Sequence, residues 1–205
     1  MKIVIIKYNA GNIFSVDYAL KRLGVEAEIT GDIEKIKTAD KVIFPGVGEA
    51  ETTMTYLRQH KLDRVIKELK QPVLGICIGM QLMCQSSEEG GNTSCLGIFD
   101  EKVKLFIPTK TITKVPHIGW NTVQYCDSPL FNGLPQYPYF YYVHSYYATT
   151  GKDTIATTDY IHPYSAALQK DNFYAVQFHP EKSGVMGEVL LRNFLEMKYN
   201  NHILV

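Results

Sequence analysis

The 205-residue sequence has no long hydrophobic run. Its first apolar stretch, Ile3-Val4-Ile5-Ile6, stops after four residues. That is too short for a signal-peptide core or a membrane span. Net charge is also lacking, with 21 basic against 21 acidic side chains. A general attraction to nucleic acid or to an anionic membrane is therefore not expected. Cysteine is scarce, and Cys77, Cys84, Cys95 and Cys126 form no C-x-x-C pair. No histidine cluster accompanies them at zinc-finger spacing, which argues against a disulfide framework or a structural metal. Neither a G-x-x-x-x-G-K-[ST] loop nor a G-x-G-x-x-G fingerprint occurs, so a nucleotide cofactor is not expected. The expectation is a soluble, cytoplasmic protein without metal or cofactor. One domain spanning residues 1–205 suits the length, and no repeat, low-complexity stretch or linker divides it.

What is present alternates. The run Ile3–Ile6 reads as a strand buried on both faces. Val16, Ala19, Leu20 and Leu23 then recur at helical spacing, with Ser15 as a possible N-cap and Gly24 as a stop. Ala27–Thr30 and Lys41–Phe44 read as further strands, and the second is halted by Pro45-Gly46. A helix is expected over Thr52–Leu69, a strand over Pro72–Ile76 and a helix starting near Met80. Such alternation predicts an α/β fold with a doubly wound, mostly parallel, flavodoxin-like sheet. After the polar segment Glu88–Asn92, residues 103–178 carry signals for short strands, which predicts an antiparallel extension in the second half. The aromatics of Tyr137–Tyr147 read as a packed sheet face, and Val185–Tyr199 as a closing helix.

Three local patterns carry chemistry. Gly75-Ile76-Cys77-Ile78-Gly79 places a cysteine in a glycine-flanked turn between a predicted strand and helix. This is the cysteine form of a nucleophile elbow, and a following helix N-terminus favours the thiolate. The Ile78 N–H would face the site and help form an oxyanion hole. A buried cysteine at a strand end is the alternative. In His179-Pro180-Glu181, residues i and i+2 of an extended segment share one side, so the carboxylate can orient the imidazole. A solvated His/Glu pair would look the same. Pro45-Gly46-Val47-Gly48 lets backbone approach a ligand closely, although an ordinary loop is equally compatible. All three follow predicted strands, and ligands in open α/β sheets collect at the carboxyl ends of strands.

With these segments in view, the sequence resembles the class I glutamine amidotransferases over nearly its whole length. The resemblance runs through Tyr8-Asn9-Ala10-Gly11-Asn12, Phe44–Gly48, Gly75–Leu82, Pro116–Asn121, Val143–Tyr146 and Gln177–Ser183. Within that family the Pro-Gly-Val-Gly, Gly-Trp-Asn and Gly-Asn segments resemble the glutaminase subunits of histidine biosynthesis. The resemblance implies that Cys77 attacks the glutamine side-chain amide, that His179 shuttles protons and that Glu181 orients His179. It assigns Val47 and Ile78 to the oxyanion hole. Gly46, Gly48, Gln81, His144, Ser145 and Tyr146 would hold glutamine, and Asn12, Trp120 and Lys182 would face a partner. It further implies that ammonia passes to a separate (β/α)8-barrel cyclase, since about 250 residues for a barrel cannot fit in this chain. There, a phosphoribulosyl-formimino carboxamide ribonucleotide would become imidazole glycerol phosphate and an aminoimidazole carboxamide ribotide.

Two departures fall near the expected docking face. Lys7-Tyr8-Asn9 stands where the family usually has Asp-Tyr-Gly, and Glu49-Ala50-Glu51 makes the rim acidic. On composition alone, Trp120 reads as a core aromatic. A glutaminase of another pathway, a free-standing γ-glutamyl hydrolase and a catalytically silent scaffold are the competing readings.

Overall fold

The computed structural model describes residues 1–9, 11–110 and 114–198. Ala10 and Tyr199, named in two of the expectations above, lie outside them. The first half alternates as expected: β1 (Ile3–Ile6), α1 (Ile13–Arg22), β2 (Ala27–Thr30), α2 (Ile33–Lys37), β3 (Lys41–Phe44), α3 (Ala50–Gln59), α4 (Leu62–Glu68), β4 (Val73–Ile76) and α5 (Ile78–Met83). The second half is mostly strands. They are β5 (Ser86–Ser87), β6 (Thr93–Ser94), β7 (Lys102–Leu105), β8 (His117–Thr122), β9 (Gln124–Tyr125), β10 (Tyr139–His144), β11 (Tyr146–Ala148), β12 (Thr154–Asp159), β13 (Pro163–Lys170) and β14 (Phe173–Val176). Helix α6 (Gly184–Glu196) follows them.

The main sheet has the order β2-β1-β3-β4-β14-β13-β11-β7-β5-β6. Strands β2, β1, β3, β4 and β14 are parallel, and from β13 the pairing turns antiparallel except between β7 and β5. The expected doubly wound sheet with an antiparallel extension is therefore observed. Strands β8 and β10 form a separate antiparallel ribbon.

Alternation along the central strands builds a core on each face. Val4, Ile6, Val42, Phe44 and Val73 pack against α2, α3, α4 and α5. Ile3, Ile5, Ile43, Leu74 and Ile76 pack against α1 and α6. Each strand is thus apolar on both sides, as a strand covered by helices must be.

Three local expectations need correction. The helix expected over Thr52–Leu69 is two helices, because Lys61 adopts a left-handed φ of 60°. The apolar spacing Met54, Leu57, Leu62, Val65 fits one continuous stripe, so the break comes from the backbone at His60–Lys61 and not from the hydrophobic pattern. Ser15 lies inside α1, whose N-cap is Asn12 at φ 68°. The aromatic stretch is only half packed: Phe140 and Tyr142 are buried, whereas Tyr137 and Tyr139 are exposed.

The carboxyl ends of β1, β3, β4 and β14 lead into segments 7–12, 45–48, 77–78 and 177–182, so every expected catalytic segment meets at one sheet edge. The helix after β4 is pressed against the strand next door. A Cβ on Gly79 would stand 1.9 Å from the Phe44 carbonyl oxygen. Gly79→Ala is expected to destabilise the fold by about 3 kcal/mol, as overpacking against backbone does. A urea denaturation midpoint equal to that of the unsubstituted protein would contradict this contact.

Candidate active site

Cys77 sits between β4 and α5 with φ 54° and ψ −109°, a left-handed backbone that an L residue rarely adopts. The neighbouring glycines make this turn possible. A side chain at Gly75 would press on Met83, Gly79 and Met80, and one at Gly79 would strike Phe44. The Cys77 N–H donates to the Val176 carbonyl at 2.8 Å, which fixes the elbow to β14.

His179 and Glu181 follow β14, and both side chains are fully buried. His179 Nδ1 lies 2.7 Å from Glu181 Oε1. The pairing is as expected, but its backbone is not a continuous extended segment: Pro180–Lys182 is a 3-10 turn. That turn is held by Ser183, whose hydroxyl donates to the His179 carbonyl at 2.6 Å and accepts from the Tyr141 N–H at 3.0 Å. The other ring nitrogen, Nε2, is buried without a hydrogen-bond partner among the described residues. Cys77 is nonetheless close enough to act on it. Burial pulls the imidazole down, but the charge of a Cys77 thiolate and the Glu181 carboxylate outweigh it and raise His179 to about 10. A carboxylate on one side and a sulfur on the other thus favour the charged form of the imidazole.

Asn12, expected at a partner surface, also meets the buried pair, a contact the sequence did not show. Its Nδ2 donates to Glu181 Oε1 at 2.6 Å and lies 3.4 Å from His179 Nδ1. It therefore reaches the Cys–His–Glu group from α1. No motif reveals this, since the contact spans 169 positions.

The Pro45–Gly48 loop crosses above the elbow. Tyr8 donates its hydroxyl to the Pro45 carbonyl at 2.5 Å, and the Gly11 N–H donates to the Val47 carbonyl at 3.3 Å. A Cβ on Gly46 would stand 2.0 Å from the Tyr8 hydroxyl and 2.8 Å from Ile78 Cγ2, which explains the glycine and places the loop against α5. Gly48 has φ 153°, a value that favours glycine. Val47 is partly exposed at the loop tip and Ile78 is buried. Gln81, one turn along α5, donates from Nε2 to the Tyr146 carbonyl at 2.8 Å, so the 144–146 segment adjoins the same site. Ser145 and Tyr146 are half-buried, and burial together with Glu89, Glu88 and Glu49 raises the Tyr146 hydroxyl.

Of the residues expected at a partner surface, Trp120 is 55% exposed, which overturns its reading as a core aromatic. It meets the Tyr141 ring edge-on across the β8–β10 ribbon. Lys182 is exposed beside Glu181. Among the described residues, no three His, Cys, Asp or Glu side chains form a group able to hold a metal.

Behind the 144–146 segment lies a buried histidine pair. His144 Nδ1 is 2.7 Å from the Tyr146 carbonyl, which can only accept, so Nδ1 carries the hydrogen. His144 Nε2 then faces Tyr164 Oη at 3.2 Å and His117 Nδ1 at 3.3 Å. Burial lowers His117 to about 4 and His144 to about 3. Both are neutral when folded and take up protons only when unfolded. Their contribution is therefore present above about pH 6.5 and is lost as pH falls towards their folded values. Stability is expected to fall by about 1 kcal/mol per pH unit for each imidazole between about pH 6 and about pH 4. His117→Asn and His144→Gln should each flatten that slope, measured by urea denaturation; an unchanged slope in both would mean the pair titrates normally.

The family model described as glutamine amidotransferase class-I matches residues 4–197. The chain is 66% identical over 197 residues to an imidazole glycerol phosphate synthase subunit HisH of Bacteroides fragilis, covering 96% of this chain and all of that one. It is 46% identical over 198 residues to the HisH subunit of Yersinia pseudotuberculosis, again covering 96% of this chain and all of that one. In fold it is similar to a crystal structure of a glutamine amidotransferase, with a TM-score of 0.72 at 20% identity, over 94% of this chain and 97% of that one. It is also similar to PurLQS from Thermotoga maritima, with a TM-score of 0.69 at 14% identity, over 95% and 97% of the two chains. A match over almost the entire length, together with relatives at this identity, means that the chain is an enzyme of the class I glutamine amidotransferase family.

Proposed function

We propose that this chain is the glutaminase subunit of an imidazole glycerol phosphate synthase, and that Cys77, His179 and Glu181 release ammonia from glutamine for a separate (β/α)8-barrel cyclase. The observation that carries the reading is the fully buried His179–Glu181 pair whose unpartnered Nε2 stands beside Cys77. The high identity to HisH subunits supports the pathway.

In this mechanism Cys77 Sγ attacks the amide carbon of the glutamine side chain. The carbonyl oxygen becomes an oxyanion, received by the N–H groups of Val47 and Ile78. His179 then gives its proton to the leaving nitrogen, ammonia departs and a glutamyl thioester remains. Water attacks the thioester while His179 takes up a proton, and glutamate and the Cys77 thiol group are released. An imidazole raised by its anionic neighbours carries the proton that the leaving nitrogen needs. Glu181 stabilises the imidazolium, and Asn12 holds the carboxylate in place. Gln81, His144, Ser145 and Tyr146, with Gly46 and Gly48 opposite, line the position for the amino-acid portion of glutamine.

A partner is supported by the outer face of the β8–β10 ribbon, where Ile118, Trp120 and Tyr139 lie exposed beside Lys182. Exposed aromatics clustered at one face are the residue type that protein interfaces favour. The ammonia would then enter the cyclase without meeting bulk water.

Glutamate release is expected to rise by about 10- to 100-fold when the cognate cyclase and its ribonucleotide substrate are added. Equal release without the partner would move the protein to a free-standing glutaminase or γ-glutamyl hydrolase. Cys77→Ala should abolish glutamine use while the complex still consumes added ammonia. Loss of both reactions would make Cys77 structural. Asn12→Ala should lower kcat about tenfold with little change in KM, as a hydrogen bond to the charged orienter is lost; an unchanged kcat would reduce that contact to packing.

A further inference from the structure

Gln177 follows β14 as Cys77 follows β4, and the parallel register Ile76↔Val176 sets the two residues side by side. Gln177 is fully buried. A polar side chain in that position must find partners, because a buried amide left unpaired is costly. Its Nε2 lies 3.7 Å from Cys77 Sγ, and its Oε1 accepts from Gln81 Nε2 at 2.9 Å.

The direction of this chain is set from its far end. The Tyr146 carbonyl can only accept, so Gln81 must turn its NH2 group towards it. The second hydrogen of that NH2 group points to Gln177, which must answer with Oε1. The Gln177 NH2 group is thereby left facing the sulfur. His144 Nδ1, on the same Tyr146 carbonyl, anchors the end of the chain.

We infer that Gln177 is a positioning residue for the nucleophile: it donates a hydrogen bond to Cys77 Sγ, favours the thiolate over the thiol, and ties the sulfur to the segment that holds glutamine. The inference rests on the reading of Cys77 as nucleophile. A donor aimed at sulfur stabilises the anion, as hydrogen bonds to charged groups do. It also restricts the χ1 rotation of Cys77, so the sulfur faces the pocket before substrate arrives. The other titratable groups acting on Cys77 are the His179 imidazole and the Tyr8 hydroxyl, and neither changes when Gln177 is replaced.

The test is the pH dependence of Cys77 alkylation by iodoacetamide in the full chain. Peptide mass spectrometry separates Cys77 from Cys84, Cys95 and Cys126. Gln177→Met removes the donor at similar volume. Gln177→Glu keeps the shape and the acceptor towards Gln81 but turns an anion to the sulfur. The alkylation midpoint is expected to rise by about one pH unit in Gln177→Met and further in Gln177→Glu. Glutamine turnover in the complex should fall about tenfold at neutral pH and recover at higher pH. If a Gln177 variant does not fold, Gln81→Met, which frees the Gln177 amide to rotate, should shift the midpoint in the same direction. Unchanged midpoints in the folded variants would overturn the inference, even if turnover fell, because lost packing alone does not move a thiol's titration. The readout does not depend on turnover: glutamine use surviving in Cys77→Ala would sink the functional reading, whereas an unmoved midpoint beside an inactive Cys77→Ala would sink this inference alone.

Discussion

The site depends on the pairing of β4 with β14. These two strands run parallel with Ile76 opposite Val176, and the Cys77 N–H closes the ladder on the Val176 carbonyl. A shift of one residue would turn every side chain to the other face of the sheet. Cys77 would then lose both Gln177 and the imidazole of His179. The register is protected by burial: Val73, Leu74, Ile76, Ala175 and Val176 are all inaccessible to solvent, and each packs into one of the two cores. The apolar pattern of two short strands, 100 positions apart in the chain, thus sets the geometry of Cys77 and its neighbours.

Around that ladder the polar groups form one connected system. Gln177 links Cys77 to Gln81, and Gln81 links it to the Tyr146 carbonyl. His144 joins that carbonyl to Tyr164 and His117. On the other side, His179 leads through Glu181 to Asn12. Buried polar networks of this kind hold a unique arrangement when satisfied. The exceptions here are informative. Among the described residues, His179 Nε2 and Glu181 Oε2 lack partners, and the first is the nitrogen turned towards Cys77. An unpaired buried atom at a site of this chemistry marks where a reacting group belongs.

Much of this was legible in the sequence, for reasons that differ from element to element. Strands β1 to β4 and helix α1 follow from local apolar runs and spacing, and the elbow follows from two glycines around a cysteine. The His179–Glu181 pair could be read because two positions in sequence are also neighbours in space. The break at Lys61 was not legible, because the apolar residues on either side of it keep one helical stripe while the backbone turns left-handed. Trp120 was harder. Alternation shows that it shares a face with Ile118, but not whether that face turns inwards or out. The answer lies across the ribbon, where Tyr142 and Phe140 take the inner side. Asn12 was legible only as a member of a motif. That its side chain meets Glu181 depends on α1 packing beside the turn after β14, a tertiary fact with no local trace.

That placement of Asn12 has a consequence for α1 itself. Asparagine at a helix N-cap usually turns its side-chain oxygen back onto the first-turn N–H groups. Here it makes no such bond, its backbone is left-handed, and its amide is directed to Glu181. The first turn also has no acidic side chain to answer the positive end of the helix dipole. The N–H groups of Ile13, Phe14 and Ser15 thus start the helix without the acceptor that Asn12 would otherwise supply, so this turn is expected to exchange its amide hydrogens faster than the rest of α1. The uncapped start of α1 and the carboxylate beside His179 share a single side chain.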